Sequence, residues 1–317
     1  MTPALAPVRV ATRGSLLATT QSEQIAVALR SLLGRQVELV EVRTHGDTDQ
    51  QTPLTSFAGV GVFVTAVREA LLRDEADVAV HSLKDLPTSA SPGLRLAAVP
   101  VRADARDVLV ARDGATLASL PVGARVGTGS PRRASQLLAI RPDLEIVAVR
   151  GNVDTRLRKV SDGQLDAVVL AHAGLARLDR LDAVSEVLEP DQMLPAPGQG
   201  ALAVECREVE TDLALLDALR VLDDVASRVA VTAERSLLAT LEAGCSAPVG
   251  ALATVTEIGG EVLVHLTGTV VSVDGRTQVR KSVTGAAGDA VAVGRELALD
   301  LLAATATGLR PVRGSAS

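Results

Sequence analysis

RVGTGSPRRASQLLAIRPDLEIVAVR, residues 125–150, compresses a strand, a turn, a helix and a second strand into one short run. Ser130 suits a helix N-cap, and Pro131 then falls at the first helical position, where its missing N–H costs nothing. Arg132 and Arg133 occupy the first helical turn. A helix N-terminus already carries partial positive charge, so this is the wrong end for cations unless an anion sits among them. The residues leave two readings open: a solvated arginine pair, or a site for carboxylate or phosphate.

The same alternation continues on both sides. TRLRKVSDG reads as a helix closed by Gly163, and LDAVVLA, 165–171, as the next strand. Upstream, ARDVLV, 105–110, opens this unit, and a similar unit precedes it. Val8–Ala11 reads as a buried strand, and about Ser15 to Leu33 as a helix with Ile25, Leu29 and Leu32 on one face. VELVEVRT (37–44) is a strand, 45–61 a polar, glycine-containing mobile loop, 62–73 a helix and DVAVHS (77–82) a strand. Alternation of this kind predicts α/β units with largely parallel sheets. ALAVECR, 201–207, is a late strand suited to return to the first unit's sheet, and two crossings between lobes predict a hinged cleft. The last third changes character: EVLVHLTGTVVSVDGRTQVRKSV alternates apolar and polar residues about an Asp274-Gly275 turn, and a helix follows from about 289 to 304, an α+β pattern.

Composition bounds the function. The 317 residues are 47% hydrophobic and 1% aromatic, with only Phe57 and Phe63, so Ala, Val and Leu must fill the cores. A net charge of −6 and the lack of stacking side chains argue against nucleic acid as a partner. No apolar run reaches a membrane span, and the arginines at 9 and 13 interrupt any signal peptide, so a cytoplasmic protein is expected. Four scattered histidines and two cysteines give no metal spacing and no disulfide framework.

Charged residues gather at strand ends. Arg13, Arg132, Arg133 and Arg150 each follow a predicted strand, the end where open α/β sheets bind ligands, which implies a ligand with several carboxylates or phosphates. Lys84 and Asp85, in HSLKDLPT, also follow a strand. They are either an exposed turn with a weak ion pair of about 0–1 kcal/mol, or an acid facing developing positive charge. LEAGCSAPVG, 241–250, places Cys245 where a helical pattern ends in glycine. Filler, disulfide, metal ligand, nucleophile and covalent handle all remain open for it. Cys206, inside a strand, reads as a buried small hydrophobe, and His81 as a hydrogen-bonded structural histidine.

Six segments in order, ATRGSLLATTQ, HSLKDLPT, GTGSPRRASQL, VRGNVDTRL, LPAPGQGALAVECR and AERSLLATLEAGCSAPVG, resemble the porphobilinogen deaminase (hydroxymethylbilane synthase) family over nearly the whole chain. The resemblance implies two α/β domains related to type II periplasmic binding proteins, at 1–104 with 198–221 and at 105–197. A small α+β domain at 222–317 would carry the cysteine. It implies a cytoplasmic, monomeric transferase of tetrapyrrole (haem) biosynthesis that joins four porphobilinogen molecules into hydroxymethylbilane with loss of ammonia, with no nucleic acid, membrane or metal involved. A dipyrromethane cofactor would be held by a thioether to Cys245. Asp85 would stabilise the cationic pyrrole. Cofactor carboxylates would meet Lys84, Arg132, Arg133 and Arg156, helped by Ser82, Thr128 and Ser130. Arg13, Ser15, Arg150 and Gln199 would meet the incoming substrate, and Arg177 the growing chain. Two departures stand out. Gly129-Ser130-Pro131 replaces the family's frequent Ser-Ser-Leu, and Ser56, Val60 and Thr65 stand where many members carry lysines.

Overall fold

The computed structural model describes residues 6–42, 62–242 and 248–306. In chain order the elements begin with β1 (Val8–Thr12), α1 (Leu16–Leu33), β2 (Val37–Glu41), α2 (Val62–Leu72), β3 (Val78–Ser82) and β4 (Leu94–Ala98). Next come β5 (Asp107–Ala111), β6 (Arg125–Gly127), α3 (Pro131–Ile140), β7 (Glu145–Val147), α4 (Val153–Ser161), β8 (Ala167–Ala171), α5 (His172–Arg177) and β9 (Glu186–Leu188). The last are β10 (Leu202–Arg207), α6 (Leu213–Leu222), α7 (Val225–Glu242), β11 (Val249–Ile258), β12 (Glu261–Val271), β13 (Gln278–Ala286) and α8 (Ala290–Ala306). They form two compact units, one of 1–103 with 201–228 and one of 104–200 with 229–317.

The first unit holds a five-stranded sheet ordered β2-β1-β3-β10-β4. β1 pairs parallel with β2 and β3, and β10 runs antiparallel between β3 and β4. ALAVECR therefore does return to the first sheet. The strands read as continuous apolar runs because both faces are covered. Val8, Val10, Val78 and Val80 pack beside Ile25 and Leu29 of α1 and Leu215 and Leu219 of α6. Ala11 and Ala79 face the other way, toward Val67 and Leu71 of α2. Cys206 lies wholly inside the first of these cores, as a small apolar group.

The second unit repeats the design with the order β7-β6-β8-β5-β9, β6 parallel to β7 and β8, and β5 antiparallel between β8 and β9. Leu109, Val126 and Val169 line one face with Leu137 of α3, while Val108, Val110, Val168 and Leu170 line the other with Leu175 of α5. The short edge strands β4 and β9 carry too weak an alternation to be predicted from sequence. β2 stops at Glu41, before the predicted end, and the predicted loop at 45–61 lies outside the described residues.

The same unit contains an antiparallel sheet β11-β12-β13. Its apolar face, with Ala251, Ala253, Val264 and Leu266, covers Leu237 and Leu241 of α7 and Leu297 and Leu301 of α8. The hairpin turns at Asp274-Gly275: Gly275 has φ +73°, and a Cβ there would lie 2.7 Å from Leu138 of α3. Glycine is thus required both by the turn and by the close approach of the helix.

Candidate functional site

In the second unit the sheet places Asp107 at the head of β5, opposite Ala171 at the end of β8. That is the edge at which β6 and β8 give way to helices, and α3 starts there. Ser130 caps α3, its Oγ accepting from Arg133 N at 3.4 Å, and Thr128 Oγ1 accepts from Ser130 N at 3.1 Å. The hydroxyls of GTGS thus shape the turn that sets Arg132 and Arg133. Neither arginine is solvated; each is 6% exposed.

Both guanidiniums converge on the fully buried Asp107. Arg132 Nη1 donates to Asp107 Oδ2 at 2.7 Å and to Leu194 O at 2.7 Å. Arg133 donates to Asp107 Oδ1 from Nε at 3.0 Å and from Nη2 at 2.7 Å, and from Nη1 to Val169 O at 3.1 Å. Burial opposes the charge on Asp107, but the pull of Arg132 and Arg133 overrides it and holds the carboxyl far below its usual range. Burial, then repulsion from Arg133, lowers Arg132, with Asp107 opposing both effects. One carboxylate thus faces two buried guanidiniums, and Arg132 Nε is buried with no acceptor among the described residues.

Neither Arg156 nor Arg177 of this unit pairs with an acid among the described residues. Arg156, half-buried on α4, donates from Nε to Gly151 O at 2.9 Å, and burial and Arg133 both lower its pKa. Arg177, in the last turn of α5, donates to Gly200 O at 2.9 Å and is lowered by burial. Arg150 follows β7 and is exposed. Gln199 is 1% exposed, and its amide donates to Ala105 O at 2.8 Å and to Asp107 Oδ1 at 2.9 Å. A surplus of buried or half-buried cations, with Arg132 Nε unsatisfied, suits a ligand with several carboxylates. Asp107 itself escapes the sequence reading; its only signal is an acid heading the apolar run DVLV.

In the first unit, Arg13 and Ser15 follow β1. Ser15 caps α1, accepting from Ala18 N at 3.4 Å, and Arg13 O accepts from Thr12 Oγ1 at 3.2 Å. Ser82 ends β3, and Leu83–Asp85 form a single 3-10 turn. Buried Leu83 and Leu86 pin this turn, with Leu83 N bonded to Ala201 O at 3.0 Å, so Lys84 is presented half-buried and Asp85 exposed. His81 is buried, its Nε2 3.3 Å from Glu205 Oε2. Cys245 lies outside the described residues. Among those described, no cluster of His, Cys, Asp and Glu is placed to hold a metal ion, and no helix is long and apolar enough to cross a membrane.

Residues 8–215 match the family model "Porphobilinogen deaminase, dipyromethane cofactor binding domain", and 229–303 match "Porphobilinogen deaminase, C-terminal domain". The chain is 56% identical over 316 residues to porphobilinogen deaminase 1 of Streptomyces avermitilis, covering 95% of this chain and 97% of that one. It is 56% identical over 299 residues to porphobilinogen deaminase of Mycobacterium bovis, covering 93% and 95%. Among solved structures it is similar to the VFT2 domain of Bordetella pertussis BvgS (20% identity, TM-score 0.42, covering 72% of this chain and 91% of that one). It is also similar to an ancestral cationic amino acid solute binding protein (18% identity, TM-score 0.43, covering 68% and 88%).

Proposed function

The chain belongs to the porphobilinogen deaminase family, and on that premise we propose that Asp85 serves the chemistry while Arg132, Arg133 and Arg156 hold the carboxylates of a dipyrromethane carried on Cys245. The enzyme is a transferase of tetrapyrrole biosynthesis, a hydroxymethylbilane synthase that condenses porphobilinogen with release of ammonia on a dipyrromethane cofactor. The observation that carries the assignment of the arginines is charge: two buried guanidiniums face the single carboxylate of Asp107, with Arg156 beside them. Each pyrrole brings an acetate and a propionate, so these donors fit a dipyrromethane.

When bound, the cofactor supplies the free pyrrole carbon at which the chain is extended. The protein's own side chains do the rest. Asp85, exposed on its pinned turn, accepts from a pyrrole N–H and stabilises positive charge on the reacting ring as ammonia leaves. Lys84 binds a cofactor carboxylate, with Ser82, Thr128 and Ser130 supporting the turns on which the cationic side chains stand. Arg13, Ser15, Arg150 and Gln199 serve the incoming substrate, and Arg177 the lengthening product. We further propose three domains, at 1–104 with 198–221, 105–197 and 222–317, in a monomeric, cytoplasmic enzyme.

Intact mass of the purified protein beside Cys245→Ser tests the reading. The expected result is an excess of two pyrrole units in the wild type alone. An unmodified wild type that also builds no adduct when given porphobilinogen sinks it, and so does an adduct that survives in Cys245→Ser. Arg132→Leu is expected to yield unmodified apoprotein on the same measurement; a fully modified Arg132→Leu protein counts against the arginine's role.

A further inference from the structure

Binding carboxylates requires Arg132 and Arg133 to present fixed N–H groups. Flexible arginines would lose that advantage to their own rotamer entropy. The structure shows what fixes them. Asp107 accepts four N–H groups from three side chains: one from Arg132, two from Arg133 and one from Gln199. Gln199 is braced in turn, its amide shared with Ala105 O, and the neighbouring Gly198 N is held at 2.6 Å by Oε2 of the wholly buried Glu234. The other carboxylate oxygen of Glu234 accepts from Ala253 N of β11 at 2.8 Å. Gln136 clamps the same segment, donating to Leu194 O at 3.0 Å and accepting from Leu194 N at 2.8 Å. Arg132 therefore meets a carbonyl that is itself held.

We propose that Asp107 is a positioning residue, braced by Gln199, that sets the geometry of the Arg132–Arg133 pair and leaves it with one uncompensated positive charge for the ligand. The proposal rests on the reading that these arginines hold cofactor carboxylates. Two points argue for position rather than mere burial. A single carboxylate neutralises only half the pair, which leaves a buried positive charge that a ligand carboxylate would compensate. Asp107 also engages Arg133 through Nε and Nη2 but Arg132 only through Nη1, and so leaves Arg132 Nε without an acceptor among the described residues.

The test compares wild type, Asp107→Asn and Gln199→Leu, each incubated with porphobilinogen. The readouts are the adduct fraction by intact mass, kcat and KM separately, and Tm. Asp107→Asn is expected to load little adduct, and its loaded fraction to lose about 100-fold in kcat, the cost of a small misplacement of a binding group. Gln199→Leu keeps the carboxylate, so it is expected to fold and load, with kcat down about 10-fold and Tm close to wild type. Should Asp107→Asn fail to fold, Gln199→Leu decides alone. A wild type that builds no adduct overturns the parent reading and this inference with it. A wild type that loads normally, beside a Gln199→Leu variant with unchanged kcat, overturns this inference alone. A kcat loss in Gln199→Leu that only follows a fall in Tm overturns it as well, and so does a change confined to KM, the mark of a lost substrate contact rather than a displaced arginine pair.

Discussion

The two five-stranded sheets share one pattern of parallel and antiparallel pairing, and each buries an acid on the antiparallel strand in its fourth position, but at different heights. In the first unit Glu205 sits mid-strand opposite Ala79, three positions before Ser82, the residue that ends β3. Arg68 of α2 donates to both its oxygens, at 2.8 and 2.7 Å, and His81 stands beside it. In the second unit Asp107 heads β5 opposite Ala171, the last residue of β8. One acid ties a helix to the middle of a sheet, and the other lies at the edge where α/β sheets receive ligands. On the proposed role of Asp107, height in the sheet, not residue type, separates an ion pair that holds the fold from one that serves a site.

The turns at that edge differ as well. After β3 the chain reads Leu83-Lys84-Asp85, and after β8 it reads His172-Ala173-Gly174, so of these two segments only the first carries a carboxylate. Asp85→Asn breaks this asymmetry most directly. It is expected to keep the fold, since the buried leucines that pin the turn are untouched. Turnover should fall by about 10²–10⁴, the usual contribution of a positioned acid or base. Steady-state kcat with Tm as control decides it, and near-normal turnover would remove Asp85 from the chemistry.

Glu205→Gln probes the mid-strand acid. Burial raises the pKa of Glu205, but neighbouring His81 and the paired hydrogen bonds and charge of Arg68 outweigh it and bring the value from 4.5 down to about 2. A carboxyl with a lowered folded-state pKa stabilises fully above its unfolded value, and loses that contribution as pH falls from about 4.5 toward 2. The contribution is about 3 kcal/mol at neutral pH. Glu205→Gln should therefore unfold at a lower temperature at pH 7, show a flatter Tm between pH 5 and 3 than wild type, and keep kcat per folded molecule. A kcat loss as large as that of Asp107→Asn would erase the distinction between the two acids.

Much of this frame is legible in the sequence because its strands are unusually plain. DVAV, DVLV and AVVL are apolar runs bounded by polar turns, and Arg132 and Arg133 in the first turn of α3 break the local electrostatic rule for a helix N-terminus. What was not legible is the pairing. Asp107 and Arg133 are 26 residues apart, and Glu205 and Arg68 are 137 apart, so neither contact leaves a local pattern. Nor could the sequence say that the amide of Gln199, read as a substrate contact, is engaged with Asp107 and a backbone carbonyl. β4 and β9 escaped for the related reason that edge strands take their register from neighbours rather than from their own alternation.

The finest contrast lies in the glycines before the two N-caps. Gly14-Ser15 and Gly129-Ser130 occupy the same place after β1 and β6. A Cβ on Gly14 would run into Glu41 Oε1, the far end of a side chain that can swing aside. A Cβ on Gly129 would lie 2.8 Å from Val149 O, backbone held by the strand before it. Neither glycine needs a left-handed φ, so the difference is one of space alone. Gly129→Ala is expected to cost about 1–3 kcal/mol through overpacking, and to disturb the turn that carries Arg132 and Arg133. Gly14→Ala should stay within about 0.5 kcal/mol. Denaturant unfolding of the two variants measures the gap directly. Equal losses would mean that Glu41 is as immobile as a backbone carbonyl. Two losses near zero would mean that the turn after β6 has slack, and that a side chain at 129 is excluded by something other than packing.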